Sequence, residues 1–238
     1  MTSPPPPIRP QLGVVIPTLD EEETLPRILA DLTALGTPLE VMVVDGGSRD
    51  GTLSVAQKQG VAVIRAERGR GRQMNAGARA IDTPWLLFLH ADSRLPAGTA
   101  TALGRWLDSP PPCQAAHFAF QLDQEGPWWR MIERGQRIRE RLTGLACGDQ
   151  GLVLSRALFE AVDGIPEIPL MEDVEIVRRL RRNGGIDRID APLITSARRY
   201  QSEGPARGWI RNVTLLFLYS LGVSPAFLSR WYRPHGRT

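Results

Sequence analysis

Val41-Met-Val-Val-Asp45-Gly-Gly-Ser-Arg-Asp50-Gly-Thr52 decides how this chain is read. Four apolar residues run without polar alternation into an aspartate, and a glycine-rich turn follows. A short, β-branched run bounded by turn residues reads as a strand buried on both faces. The pattern recurs in Trp85-Leu-Leu-Phe-Leu-His90-Ala-Asp92. In parallel α/β sheets, ligands bind in the crevice at the carboxyl ends of the strands. An aspartate placed there faces a ligand and not the core. Two such carboxylates suit a nucleotide's base or ribose and a divalent metal, which marks the chain as a candidate nucleotide-using enzyme.

Outward from this stretch the rhythm is regular. A strand at Leu12–Ile16 precedes a helix with Leu25, Ile28, Leu29, Leu32 and Leu35 on one face. Strand Val41–Val44 leads to a helix near Thr52–Gln59, strand Val61–Ile64 to a helix near Arg72–Ala80, and strand Trp85–Leu89 to a helix near Gly98–Leu107. Four βα units predict a mainly parallel sheet with right-handed crossovers. Pro110-Pro-Pro112 interrupts the series. Beyond it the spacing predicts a strand at His117–Leu122, an arginine-rich helix at Trp128–Leu142, a short strand at Gly151–Leu154, a helical turn at Leu158–Val162, a helix at Val174–Arg182 and a last strand at Arg188–Ile194. One domain is expected over 11–205, with halves at 11–108 and 109–205. Residues 1–10 read as a disordered, proline-rich leader and 206–238 as a C-terminal amphipathic helix and tail.

The 238 residues, 42% apolar and 23% charged, are enough for one large α/β domain with a sizeable core. No apolar run reaches the length of a transmembrane helix, and the N-terminus lacks a signal-peptide apolar segment. Cys113 and Cys147 are too few for a disulfide framework, which fits a reducing, cytoplasmic compartment, and neither sits in a zinc-ligand spacing. The formal charge is +3, with Lys58 the only lysine. Either coding bias or recognition of phosphate and carboxylate by arginine's planar fork accounts for that choice. Few aromatics interleave with the basic runs, so no nucleic-acid partner is expected.

Several segments carry candidate chemistry. In Ile16-Pro-Thr-Leu-Asp-Glu21-Glu-Glu23, Thr18 or Asp20 can cap the next helix, or Pro17, Thr18 and an acid can line a base-and-ribose pocket. Gly46 and Gly47 allow close backbone approach, Asp45 can accept from a base or ribose, and Asp50 can cap a helix. No G-x-G-x-x-G stands at the first βα turn. Glu67-Arg-Gly-Arg-Gly-Arg72 combines a basic loop with a helix start, from which Arg68, Arg70 and Arg72 can reach a phosphate. His90 and Asp92, at alternate positions, can meet one Mg²⁺ or Mn²⁺. Glu172-Asp173 reads either as capping acids or as a general-base pair. Cys147-Gly-Asp149-Gln150 is a polar turn.

In this order the segments resemble the inverting family 2 glycosyltransferases over roughly residues 12–200. Ile16-Pro-Thr-x-x-Glu21 and Asp45-Gly-Gly-Ser48-x-Asp-Gly-Thr look like that family's first two nucleotide-contacting strand ends. Arg70-Gly-Arg72-Gln-Met-Asn-Ala-Gly77 looks like the loop and helix that follow. His90-Ala-Asp92 sits where the family's D-x-D metal motif lies, with a histidine in place of its first acid. Glu172-Asp173 sits at the family's E-D motif. The resemblance implies an α/β GT-A type nucleotide-diphospho-sugar transferase fold, with a mainly parallel Rossmann-like central sheet flanked by helices. It makes 11–108 the nucleotide-binding half and 109–205 the acceptor-side half.

The resemblance further implies transfer of a sugar from a UDP or GDP type nucleoside-diphosphate sugar to an acceptor hydroxyl, with Mg²⁺ or Mn²⁺ as cofactor. Pro17, Thr18, Glu21, Asp45, Gly46, Ser48 and Arg72 are then nucleotide-side residues. Asp92 and His90 are metal-side, Asp173 is the base with Glu172 beside it, and Asp149 and Gln150 are acceptor-side. Apart from the resemblance, Arg198 and Arg199, between the last strand and the C-terminal helix, either clamp the diphosphate when a flexible loop closes or form a solvated charged loop. Cys147-Gly-Asp-Gln, in a compact chain, is similar to a small bacterial subgroup whose acceptors are poorly defined. The apolar stretch Gly208–Gly222, headed by Arg207 and Arg211, either packs on the domain or lies on the inner face of a membrane near a lipid-linked acceptor. A nucleotidyltransferase would place its basic loop after the first strand, whereas here it follows the third. A non-catalytic nucleotide-sugar-binding protein would not need Asp173.

Overall fold

A computed structural model describes residues 11–145 and 148–232. The expected leader at 1–10, Cys147 and residues 233–238 of the tail lie outside the described residues. The first half runs β1 (Leu12–Thr18), α1 (Leu25–Thr33), β2 (Leu39–Asp45), α2 (Thr52–Lys58), β3 (Ala62–Arg65), α3 (Arg70–Ala80), β4 (Trp85–Phe88), β5 (Ser93–Arg94) and α4 (Ala97–Asp108). The second runs β6 (Ala115–Leu122), α5 (Pro127–Thr143), a 3₁₀ turn at Gly148–Gln150, β7 (Leu152–Ser155), α6 (Arg156–Ala161), α7 (Glu172–Arg182), β8 (Asp187–Thr195), α8 (Arg198–Glu203), α9 (Pro205–Ser220) and α10 (Pro225–Trp231).

All strands join one eight-stranded sheet in the order β3-β2-β1-β4-β7-β6-β8-β5. β1 to β4 pair in parallel, as do β6 and β8, while β7 and β5 run antiparallel to their neighbours. The sheet crosses the 108/109 division without a break. Successive side chains of β1 explain the unalternating apolar run: Val14 and Ile16 pack with Ile28, Leu29 and Leu32 of α1, and Val15 packs with Met74 and Ala78 of α3 on the opposite face. A strand covered by helices on both sides has no polar face to show.

α3 lies unusually close to the sheet. A Cβ on Gly77 would stand 2.4 Å from Val15 Cγ1 and 2.8 Å from Val44 Cγ2, and one on Gly71 would stand 2.2 Å from the Pro166 carbonyl oxygen. Both glycines are required by close backbone approach. Asn75 fastens the same helix to the 163–167 loop. Its Nδ2 donates to Ile165 O at 2.8 Å, and its Oδ1 accepts from Ile165 N at 2.8 Å.

Four sequence expectations are corrected here. β4 ends at Phe88, and residues 90–93 turn, with Ser93 N donating to His90 O at 3.1 Å. His90 and Asp92 therefore stand in a turn beyond the strand and not at its end, as the sequence reading had them. α1 is capped at Thr24 without a side-chain bond, so neither Thr18 nor Asp20 caps it. Arg198–Glu203 is helical where a flexible loop was expected, and α10 was not anticipated. Among the described residues, no helix is long and apolar enough to cross a membrane.

Candidate active site

The carboxyl ends of β1 and β2 are tied into one rim. Gly46 N donates to Thr18 O at 2.9 Å, and the buried Gln73 of α3 donates through Nε2 to Thr18 O (2.9 Å) and Val44 O (2.8 Å). The two following loops are laced together. Asp20 N donates to Ser48 Oγ (3.0 Å), Arg49 N to Asp20 Oδ1 (2.7 Å), Glu21 N to Thr52 Oγ1 (2.8 Å) and Glu22 N to Asp50 Oδ2 (3.0 Å). Thr18 is buried, and its hydroxyl donates to Val44 O at 3.4 Å. Asp45 is fully buried, and its carboxylate accepts from Gly47 N (3.0 Å) and Ser48 N (3.1 Å). The structure thus gives Asp45, Gly46 and Ser48 the task of shaping the turn, and Pro17 is the half-buried residue at the strand's end.

A second cluster spans the strand ends. Arg198 of α8 donates to Glu21 at 2.6 Å and lies 3.5 Å from Asp92 Oδ2, so one guanidinium joins the β1 loop to the β4 turn. Burial pushes the Glu21 carboxyl up, against the pull of Arg198. Arg199 beside it is mostly enclosed. Burial lowers its guanidinium, as do the like charges of Arg70 and Arg211, while Asp92 and Asp149 pull it up. Its guanidinium lies 4.9 Å over the Tyr232 ring. Arg198 and Arg199 therefore converge on the acids from a helix.

The third cluster sits at the start of α7. Met171 adopts a left-handed conformation (φ 68°) that ends the preceding loop and starts the helix with its two acids. Glu172 is 3% exposed, and its Oε1 lies 2.6 Å from Arg70 Nε. Burial raises the Glu172 carboxyl, and Arg70 opposes this. Asp173 accepts from Gly148 N at 2.8 Å and from its neighbour Val174 N at 2.8 Å. A carboxylate has about four lone-pair sites, so two remain for a substrate. His90 Nε2 and Asp173 Oδ2 both stand 3.3 Å from where a Gly148 Cβ would be, so both side chains border Gly148. Burial and the positive Arg70 hold the His90 imidazole at about 3, which keeps it neutral. Asp149 is pushed up to about 6 by burial, against the attraction of Arg139.

Arg70 joins these groups electrostatically: its strongest partner is Glu172, followed by Asp173, Asp149 and Asp92. Glu21, Asp92, Arg198 and Arg199 thus share one charged cleft with Arg70, His90, Asp149, Glu172 and Asp173. Two expected residues fall elsewhere. Arg72 pairs with Glu67 and lies 3.7 Å from Glu167, half exposed and turned from the cleft. Gln150 is buried on the far side, donating to Phe118 O (3.1 Å) and Glu140 Oε2 (2.9 Å) beside His117. Successive side chains of a 3₁₀ turn point about a third of a circle apart, so Asp149 and Gln150 diverge.

Gln73 is not among the sequence candidates, and Arg70 is named there only as a residue that can reach a phosphate, not as the partner of Glu172. The signal was present: positions 70, 73, 74 and 77 recur at helical spacing, and Gly77 marks the face that meets the sheet. The helix starts at Arg70 and not near Arg72, which puts Arg70 on that face and Arg72 opposite.

Among the described residues, no three His, Cys, Asp or Glu side chains converge as a metal cage. Mg²⁺ and Mn²⁺ bound with substrate phosphates take one or two protein carboxylates and fill their remaining positions with phosphate and water. Asp92, whose protein ion pair is a single 3.5 Å contact, fits that role. His90 is neutral and can ligate, and its Nε2 stands beside Gly148.

A small cavity of about 40 Å³ lies behind the α7 cluster, lined by His90, Gly148, Glu172 and Asp173 together with apolar Phe88 and Ile176. A larger groove of about 560 Å³, bordered by Arg137, Arg141 and Arg188, contains none of the candidate residues.

The sequence is 38% identical over 96 residues to an uncharacterized glycosyltransferase of Mycobacterium bovis, covering 40% of this chain and 43% of that one. It is 35% identical over 100 residues to a dolichyl-phosphate beta-glucosyltransferase of Drosophila melanogaster, covering 34% of this chain and 31% of that one. The matches therefore span less than half the length of either relative. A mannosyltransferase from Pyrobaculum calidifontis, solved in complex with GDP-Man and Mn²⁺, superposes with a TM-score of 0.61 at 23% identity, covering 78% of this chain and 56% of that one. That likeness assigns the GT-A fold. The profile of glycosyl transferase family 2 matches residues 13–160, well over half of the sequence, and the chain belongs to that family.

Proposed function

We propose that the chain transfers a sugar, with inversion, from a UDP or GDP type nucleoside-diphosphate sugar to an acceptor hydroxyl, with Asp173 as the base. The observation that carries this reading is the geometry of Asp173. Its carboxylate is fixed by the Gly148 and Val174 amides at the edge of the charged cleft, next to the buried Arg70–Glu172 pair. Glu172, salt-bridged and enclosed, positions Arg70 and leaves proton transfer to Asp173. The rim built from Pro17, Thr18, Asp45, Gly46 and Ser48 is the nucleotide side. Arg198 exchanges its acid partners Glu21 and Asp92 for diphosphate oxygens, Arg199 beside it adds a second cation, and Asp149 lines the acceptor side.

The acceptor hydroxyl gives its proton to Asp173 as its oxygen attacks the sugar's anomeric carbon. The bond from that carbon to the diphosphate breaks from the opposite side, and the nucleoside diphosphate leaves with the electron pair. A divalent cation held by Asp92 and the diphosphate oxygens would supply Lewis-acid stabilisation of the leaving group.

The test is a panel of UDP- and GDP-sugars with Mn²⁺, read by thermal shift and by turnover. Asp173→Asn is expected to keep donor stabilisation and lose turnover by roughly 10²–10⁴-fold. Wild-type turnover in that variant overturns the assignment of the base. Donor affinity unchanged by chelator overturns the cation at Asp92.

A further inference from the structure

Every large apolar side chain that is exposed among the described residues lies on α5, α9 or α10, or at the end of α9. Scattered exposed apolar residues are ordinary, but their confinement to neighbouring helices marks an interaction surface. On α5, Trp128, Met131, Ile138 and Leu142 recur at helical spacing, with Leu142 81% exposed. Gly135 lies on the same face, where a Cβ would stand 3.5 Å from Trp209 Nε1 of α9. On α9, Ile210, Val213 and Phe217 flank Trp209, and Leu221 continues the line. The two stripes therefore meet along the α5–α9 seam, and α10 adds Phe227 and Trp231.

The exposed charges carried by these three helices have one sign. Arg130, Arg134, Arg137 and Arg141 form a second row on α5, exposed and without an ion pair among the described residues. The acids of α5 turn inward: Glu133 accepts from Leu122 N at 2.9 Å, and Glu140 accepts from Gln150. α9 and α10 contain no acid, while Arg207 and Arg230 are exposed on them. A protein core partner would leave these arginines desolvated, whereas a bilayer with anionic headgroups meets both rows at once. We propose that the α5–α9–α10 face docks on an anionic lipid bilayer.

The face is tied to the charged cleft. Leu216 and Tyr219 of α9 pack with Val174 and Val177 of α7, and Tyr219 OH donates to Glu175 at 3.2 Å. A docked molecule would hold Asp173 near the headgroup layer. Access of a lipid-borne acceptor to Asp173 is a consequence that rests on the transferase reading, while docking itself does not.

The test is flotation of the full chain with vesicles. The chain should float with phosphatidylglycerol–phosphatidylcholine vesicles, remain unbound with phosphatidylcholine alone, and release at high salt. Arg134→Gln should weaken partition roughly fivefold. Leu142→Ser combined with Phe217→Ser should abolish it without changing the unfolding midpoint. If the double variant misfolds, Arg134→Gln and Arg141→Gln together serve instead, since both side chains are exposed. Absence of flotation on anionic vesicles overturns the proposal. So does a wild-type dimer in sedimentation velocity that the double variant splits, because a second copy then covers the face. Donor binding is measured on the same preparations, so its loss with flotation intact counts against the transferase reading alone.

Discussion

Asp149→Asn should stabilise this protein at neutral pH and not at acid pH. The Asp149 carboxyl is enclosed near Asp173, and its Oδ1 has no hydrogen-bond partner among the described residues. Burial moves it from the ordinary 3.8 to about 6, with Arg139 and Arg70 pulling the other way. Between those values the folded state keeps a proton that the unfolded chain has released. Folded-state stability therefore falls as pH rises through that window, the reverse of a salt-bridged carboxylate. The full effect, reached above about pH 6, is at most about 3 kcal/mol. Asparagine keeps the shape without the charge, so the variant escapes that cost. Urea unfolding of both proteins at about pH 4, 5, 6 and 7.5 measures the difference, and other titrating groups cancel in the subtraction. The variant should match wild type near pH 4 and exceed it by about 2–3 kcal/mol near pH 7.5. A difference that stays flat with pH, or a variant weaker at pH 7.5, refutes the reasoning.

The placement of α3 sets the cost of three substitutions on it. Arg70→Ala should cost about 2–3 kcal/mol, because Glu172 is left 3% exposed without its cation, even after allowing for solvent around the arginine. Arg72→Ala should cost under about 1 kcal/mol and leave donor affinity unchanged, as expected of exposed surface pairs; parallel urea melts and donor titrations of the two variants check the contrast. Gln73→Ala should cost about 2 kcal/mol, since the Thr18 and Val44 carbonyls lose a buried donor, and hydrogen exchange of the β1–β2 rim should rise.

Much of the first half was legible because its signals are local. Apolar runs of strand length, each followed by turn residues and a helix-period stripe, can hardly fold other than as βα units. The antiparallel β7 was not legible as such. Leu152–Ser155 is apolar on its own, and its direction depends on pairing with β4, more than sixty residues away. β5, two residues long, and α10 carry too little periodicity to stand out. Within the candidate site, Asp92, Glu172 and Asp173 stand out in the sequence because acids beside helix starts or strand ends are visible in one dimension. The helix starts at Arg70 and not near Arg72, and a shift of two residues at a helix start reverses the face a side chain occupies.

The sequence by itself determined the strand ends, the acids that stand on them and the helices that cover both faces of the sheet. Spacing and burial preference are properties of adjacent residues, and they act before any distant contact forms. Only the tertiary structure decided the partnerships. Arg198 reaches Glu21 across the chain, Arg70 reaches Glu172, and Gly148 fixes Asp173. Those pairings depend on the sheet order that brings β1, β4 and the start of α7 together. The opening aspartates show the division: Asp45 closes its own turn, as local chemistry allows, while the surroundings of Asp92 are set by an arginine more than a hundred residues away.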